Sequence, residues 1–173
     1  HLQVLRESGE GLVGILEDLL DMAKLETETI TLAREAFTPN GLAERLDSQF
    51  SAKAEDKGLE FELYISGDGD TVLTGDPKRI LQIGQHLIGN AIKFTETGQI
   101  RVGVTYEEGA VLPLRIAVSD TGVGIAPEDQ EMVFSAFEQV DRPEMQREEG
   151  TGLGLAITRA VVERMGGKVS VQS

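Results

Sequence analysis

The sequence contains no cysteine, which excludes a disulfide framework and a thiolate metal site. It also lacks an uninterrupted apolar stretch of about 18 residues, which a membrane-spanning helix needs, and it has no signal peptide. We therefore expect any membrane anchor to lie outside these 173 residues, with no direct membrane contact inside them. The absence of cysteine fits a reducing compartment, and we expect a cytoplasmic location.

Basic residues are scarce, at 16 Lys and Arg against 30 Asp and Glu, for a formal net charge of −14. A polyanion would be repelled by this charge, so we expect no nucleic-acid partner. A small anionic ligand is not excluded, because local donors and a bound cation set the field inside a small site. No internal repeat and no low-complexity segment is present. The length suits one domain with its own core plus an appendage.

Glycine is concentrated in two turns, DTGVGI at 120–125 and GTGLGL at 150–155. In the first, Asp120 follows the apolar run LRIAV, so it lies at the end of a predicted buried strand. Its carboxylate can accept hydrogen bonds from an exocyclic amine such as that of adenine. Gly122 and Gly124 allow the backbone to pass close to the base. The first glycine turn therefore predicts a purine site.

The second glycine turn precedes the apolar helical stretch LAITRAVVERM. It would direct free N–H groups from a helix start toward phosphate oxygens, where the helix dipole also favours anions. Upstream, in HLIGNAIKFT, Asn90 and Lys93 are three residues apart and share one helix face. An amide oxygen suits Mg²⁺ and a lysine suits phosphate. These groups together are those that an ATP–magnesium complex needs.

The N-terminal residues repeat apolar or small side chains in alternating steps of three and four, as a coiled coil or helical bundle requires. We call this row the seam; its members are Leu2, Leu5, Gly9, Leu12, Leu16, Leu19 and Ala23. One interpretation is a helix folded onto the core of its own domain. We favour the second helix of a dimerising four-helix bundle to which each protomer contributes two helices.

The remaining pattern predicts an α/β (α+β) two-layer sandwich, with a mixed sheet on one side and helices on the other. Asp76 followed by Pro77 is a helix start, because a capping acceptor precedes proline in the first turn. The expected strands are 30–37, 59–65, 99–106, 113–119 and 168–172, and the expected helices are 38–57, one beginning at Asp76, and 152–165.

These motifs, in this order, resemble the catalytic, ATP-binding domain of sensor histidine kinases. That domain belongs to the ATPase superfamily shared with gyrase, the 90-kDa heat-shock chaperones and mismatch-repair ATPases. QHLIGNAIKFT is similar to the family's N box, DTGVGI to its first glycine box, VFSAFEQVD to its phenylalanine box, and GTGLGLAI to its second glycine box. LLDMAKLE is similar to the end of the dimerisation helix, and GDPKRILQI to the approach to the N box.

The resemblance implies two parts: residues 1–27, the second helix of a dimerisation hairpin whose first helix is absent, and residues 28–173, an ATP-binding domain truncated before its last strand. It implies a two-component histidine kinase that binds ATP and Mg²⁺ and donates the γ-phosphoryl to a histidine on the missing helix. The fragment alone would not autophosphorylate. The expected partners are a second copy of the chain and a response regulator or receiver domain. With this function, the chain would match the cytoplasmic part of a membrane-anchored sensor.

The implied site residues follow from the motif match. Asn90 would hold the metal, Lys93 and Arg147 would neutralise phosphates, and Arg147 would belong to a lid that orders over the nucleotide. Phe134 would anchor the base of the lid. The cofactor-binding set is Asn90, Lys93, Asp120, Gly122, Gly124, Ile125, Phe134, Arg147, Gly150, Thr151, Gly152, Leu153 and Gly154.

His86 departs from the resemblance, since relatives carry asparagine or, in hydrolysing branches, glutamate one helical turn before Asn90. It is either a polar helix residue bonded to a neighbouring group or a catalytic element near the phosphates. Two other functions stay open: a nucleotide-binding signalling module that acts by conformation, and an ATP hydrolase. The hydrolase would want a carboxylate at position 86 to activate water.

Overall fold

The computed structural model describes residues 13, 16, 19–23, 31–136 and 152–173. Residues 13, 16 and 19–23 are helical, and we refer to 19–23 as the N-terminal helical segment. The elements that follow are β1 (Glu35–Phe37), α1 (Pro39–Asp56), β2 (Glu60–Ser66), β3 (Leu73–Gly75), α2 (Pro77–Phe94), β4 (Gln99–Tyr106), β5 (Leu114–Asp120), two single-turn 3₁₀ helices (Pro127–Asp129 and Met132–Phe134) and α3 (Gly154–Arg164). Within these ranges no helix is both long and apolar enough to cross a bilayer.

The main sheet has the order β2-β4-β5 and is mixed, because β2 runs parallel to β4 and β5 antiparallel to it. A separate antiparallel ladder joins β1 to β3. The first core lies between the sheet and helices α1 and α2, and its fully buried members include Leu46, Ile88, Ile100 and Val102. The expected two-layer sandwich is therefore confirmed.

Helices α1 and α2 begin where the sequence predicts. Thr38 caps α1 by accepting a hydrogen bond from the Gly41 N–H at 3.1 Å. Asp76 caps α2 through Oδ1, which accepts from the Arg79 N–H at 3.0 Å, while Oδ2 accepts from the Ala33 N–H at 3.0 Å. Proline follows each cap in the first turn, where its missing N–H costs nothing. Asp76 thus sets the start of α2 and ties it to the chain entering β1.

A second core joins the two helices that carry the glycine-rich and N-box motifs. Its buried members are Ile83 of α2 and Leu153, Ile157 and Val161 at or within α3. Partly buried apolar side chains pack around them: Met22, Leu87, Ala136, Val162 and Met165. This second core therefore collects side chains from the N-terminal helical segment, α2, the residues after the second 3₁₀ helix, and α3.

Two expectations about strands need correction. The predicted strand 168–172 is wrong: Val169 and Val171 are half-buried while Lys168 and Ser170 are exposed, but in the described part of the chain these residues join no ladder. Alternating burial of side chains is typical of a strand with one face on a core. A strand also needs a neighbouring strand with which its backbone forms hydrogen bonds. The strand expected at 30–37 is only Glu35–Phe37, and the short β3 with which it pairs was not predicted.

Candidate nucleotide-binding site

The end of α2 presents Asn90 and Lys93. Asn90 is half-buried, and its side-chain amide has no hydrogen-bond partner within the described residues. The Lys93 ammonium lies 4.8 Å from the centroid of the Phe94 ring. The backbone at this point is held from outside the helix, because the Lys57 ammonium donates to the carbonyls of residues 92 and 93 at 2.7 and 2.9 Å. Lys57 is not among the sequence-predicted site residues, because it carries no local signal for this contact.

The first glycine turn packs directly onto this helix end. A Cβ on Gly122 would stand 2.4 Å from the Phe94 carbonyl oxygen, and the Val123 N–H donates to that oxygen at 3.4 Å. Only glycine permits this approach. Asp120, the last residue of β5, is exposed, and its Oδ1 accepts from the Gly122 N–H at 2.9 Å. In the described residues Oδ2 accepts no hydrogen bond, so it is available to an amine of a ligand.

The same turn continues through Gly124 and Ile125. Gly124 has φ +70°, a conformation that side-chain-bearing residues rarely adopt. The Ile125 N–H donates to Ser173 Oγ at 2.7 Å, which ties the turn to the far end of the sequence. No sequence signal pointed to Ser173. The loop geometry is therefore maintained both by glycine and by a contact across 48 residues.

Within the described residues, the start of α3 after the second glycine turn has no side-chain cap, unlike the capped starts of α1 and α2. Gly152 has φ +68°, and Leu153, only 1% exposed, anchors the turn in the second core. Because no side chain among the described residues caps the start of α3, this end of the helix suits an anion. Leu153 therefore acts through packing at this site.

His86 fills the space between α2 and α3. A Cβ on Gly154 would lie 3.3 Å from His86 Cγ, and His86 Nδ1 lies 3.4 Å from the hydroxyl of Thr158, which is fully buried. The imidazole thus contacts the first turns of α3. This geometry favours the interpretation of His86 as a residue that sets the spacing of the two helices.

Phe134 lies in the second 3₁₀ helix, where its ring centroid is 5.9 Å from the guanidinium carbon of Arg159 on α3. Ala136, two residues later, packs against the second core. This agrees with a role for Phe134 in anchoring the segment that follows. The sequence-predicted Arg147, Gly150 and Thr151 lie outside the described residues.

The polar side chains at the end of α2, Asn90 and Lys93, are of the kinds that suit a nucleotide bound with Mg²⁺. Among the described residues, no group of three or more His, Asp or Glu side chains could hold a metal ion. Mg²⁺ bound with a nucleotide does not need such a group, because phosphates and water supply most of its ligands and one or two protein oxygens suffice. Within the described residues the side-chain amide of Asn90, on the same helix face as Lys93, is unengaged and has an oxygen of this kind.

Residues 75–173 match the family described as histidine kinase-, DNA gyrase B-, and HSP90-like ATPase. The chain belongs to this family. Over 175 aligned residues the chain is 38% identical to the signal transduction histidine-protein kinase BarA of Escherichia coli K12, covering 100% of the chain and 19% of BarA. Sensor histidine kinase GacS of Pseudomonas protegens is 35% identical with the same coverage of both proteins. The chain thus spans about a fifth of the length of these relatives.

Solved structures show the same ATPase fold. Full-length ShkA in complex with AMPPNP matches with a TM-score of 0.82 and 34% identity, over 99% of this chain and 35% of ShkA. The catalytic domain of histidine kinase ThkA matches with a TM-score of 0.66 and 28% identity, over 82% of this chain and 88% of the ThkA domain. The chain therefore corresponds to the catalytic, ATP-binding part of a histidine kinase, as the motif order predicted.

Proposed function

We propose that this chain is the catalytic half of a cytoplasmic two-component kinase that binds Mg–ATP and donates the γ-phosphoryl to a histidine outside the chain, for relay to a response regulator or receiver domain. The contact of Gly122 with the Phe94 carbonyl carries the proposal, since it joins the first glycine turn to the end of α2, where Asn90 and Lys93 lie. The contact of His86 with Gly154 supports it, because it brings the start of α3 against the same helix.

Each side chain has a role that follows from its chemistry. Oδ2 of Asp120 accepts a hydrogen bond from the adenine amine, while Oδ1 remains on the Gly122 N–H. The Asn90 amide oxygen binds Mg²⁺, which would neutralise phosphate charge, and Lys93 and Arg147 add cationic donors. The uncapped N–H groups of α3 bind phosphate oxygens. The protein contributes mainly position and charge stabilisation, as phosphoryl transfer requires.

The division into a dimerisation segment at residues 1–27 and an ATP-binding domain at 28–173 is part of the proposal. The exposed apolar side chains among the N-terminal residues support the dimerisation role. Leu16 is 52% exposed and Leu19 44% exposed, so two seam residues face away from the domain. A row of large apolar side chains in water favours burial against another helix. We assign the second copy of the chain as that partner.

The two alternative functions have less support. An ATP hydrolase would need a carboxylate in place of His86, whose imidazole instead lies beside the Thr158 hydroxyl. A signalling module that acts by conformation and binds nucleotide weakly or not at all would not need the glycine at position 122 or an uncapped α3.

Calorimetric titration of the chain with ATP, with and without magnesium, tests the assignment. We expect Asn90→Ala to remove the gain in affinity that magnesium provides, while Asp120→Asn weakens binding in both buffers and reduces the preference for ATP over GTP. Equal magnesium-dependent affinity of wild type and Asn90→Ala would refute the metal assignment. Wild-type affinity and base preference in Asp120→Asn would refute the adenine assignment.

A further inference from the structure

Asp21, in the N-terminal helical segment, is only 7% exposed, although it is a carboxylate. Its Oδ2 accepts hydrogen bonds from Arg79 Nη1 at 2.5 Å and from Gln82 Nε2 at 2.7 Å. Arg79 Nη1 also donates to Gln82 Oε1 at 2.7 Å. We call these three residues the Asp21 cluster. It joins the N-terminal helical segment to the first turns of α2.

The ion pair in the Asp21 cluster is largely removed from solvent, with side-chain exposures of 19% for Arg79 and 11% for Asp21. The hydrogen bond to Asp21 raises the pKa of Arg79 above its ordinary value, although desolvation acts in the opposite direction. A buried ion pair adds little net stability, but separating it leaves an uncompensated charge. The cluster therefore favours one orientation of the helical segment over neighbouring ones.

The adjacent Met22 makes the second attachment. It packs against the second core, whose members Leu153, Ile157 and Val161 lie at or within α3. Met22 alone would not define a register, since a flexible apolar side chain packs adaptably. With Asp21 bound to α2 and Met22 packed beside α3, the segment is held to both helices of the nucleotide site.

The Asp21 cluster lies too far from the candidate ligands to touch a nucleotide. Gln82 precedes Asn90 by eight residues on α2, about 12 Å at 1.5 Å per residue. Any influence on the reaction must therefore pass through the rigid helix. Arg79 and Gln82 are three residues apart and share one face of α2, so they act on it as a unit.

We propose that Asp21 is a positioning residue, which with Arg79 and Gln82 sets the orientation of the ATP-binding domain on the N-terminal helix and so aligns the γ-phosphoryl with the acceptor histidine. This inference rests on the proposed kinase function. Phosphoryl transfer needs the reacting atoms in a near-attack arrangement, and a misplacement of about 1 Å can cost about a hundredfold in rate. Nucleotide binding itself needs only the residues of the domain.

The test uses the full-length protein with Asp21→Arg, Arg79→Asp and the double variant that restores the pair in reverse. We expect each single variant to lower kcat for autophosphorylation by about tenfold or more while KM for ATP stays within about threefold. The double variant should recover most of the lost rate. Glu44→Arg is the control for charge, because Glu44 is exposed on α1 and has no partner within the described residues.

Wild-type or faster transfer in both single variants would overturn the inference, as would a double variant no better than either single one. A parallel loss of ATP affinity would also overturn it, because it would show damage to the nucleotide site. If Asp21→Arg does not fold, the isosteric Asp21→Asn must lower kcat with KM unchanged. A wild-type protein that neither binds ATP nor forms phosphohistidine would refute the proposed function instead.

Discussion

His86 lies where the first turns of α3 meet α2, with Gly154 on one side of its ring and the buried Thr158 hydroxyl near Nδ1. From the sequence, the residue is either a polar helix residue bonded to a neighbouring group or a catalytic element. The geometry favours the first, because Nδ1 lies 3.4 Å from the Thr158 hydroxyl and the ring packs against Gly154. In this arrangement the imidazole sets the spacing of α2 and α3.

We expect His86→Asn to retain nucleotide binding and to support autophosphorylation in the complete kinase at least as well as wild type. The smaller amide still offers a hydrogen bond to Thr158. The measurement is the initial rate across pH 6 to 8, with Thr158→Val as the matched variant that removes the partner hydroxyl at similar size. A rate loss of more than about tenfold, about 1.4 kcal/mol, in His86→Asn alone would make His86 a catalytic element.

At the scale of elements, α2 connects every part of the site. One face packs in the first core through Ile88, and another contributes Ile83 to the second core. Its close approach to α1 depends on Gly84, where a Cβ would stand 2.8 Å from Leu46 Cδ2. Leu46 is fully buried, so its side chain has no free space into which to move.

Gly84→Ala and Gly89→Ala form a matched pair in the same helix. Alanine should improve helix propensity at either position by about 0.5–1 kcal/mol. At position 84 we expect overpacking to exceed this gain and to lower the free energy of unfolding by about 1 kcal/mol or more. At position 89 nothing lies within 4 Å of the added Cβ, so the gain should remain. Urea denaturation measures the free energy of unfolding of both variants. Equal changes in the two variants would contradict the packing argument.

At the scale of the whole molecule, the N-terminal residues face in two directions. Asp21 and Met22 face the ATP-binding domain, whereas Leu16, Leu19 and Leu20 are exposed. The described N-terminal residues therefore have one side packed on the ATP-binding domain and one exposed apolar side. The two interpretations that the sequence left open concern these different sides, and dimerisation through the exposed side stays a prediction.

We expect the chain to self-associate weakly through this apolar face, and Leu16→Glu to reduce the association by about tenfold or more, because a buried charge opposes helix pairing. Val111→Glu is the control, since Val111 is 97% exposed outside the seam. The formal charge of −14 should make association stronger at higher salt. Sedimentation velocity measures both effects. Equal weakening by the two variants would show that added charge, and not the seam, is responsible.

Features that depend on neighbours a few residues away could be predicted from the amino-acid sequence. The caps at Thr38 and Asp76, the apolar face of α2, and the two glycine turns are signals of this kind, and the motif order predicted the family. The chemistry of Asn90, Lys93 and Asp120 also follows from residue type and spacing, although their roles stay predictions. Short-range hydrogen bonding and side-chain size act in the same way in any fold.

Contacts between residues that are distant in the sequence became known from the folded structure. Asp21 pairs with Arg79 across 58 residues, and Lys57 reaches the end of α2 across 35. The predicted strand at 168–172 was wrong for the same reason that β3 was missed: a ladder depends on a neighbour that the local pattern does not encode. Such contacts arise because packing of the two cores brings the elements together, and the largely buried Asp21–Arg79 pair is in addition costly to separate.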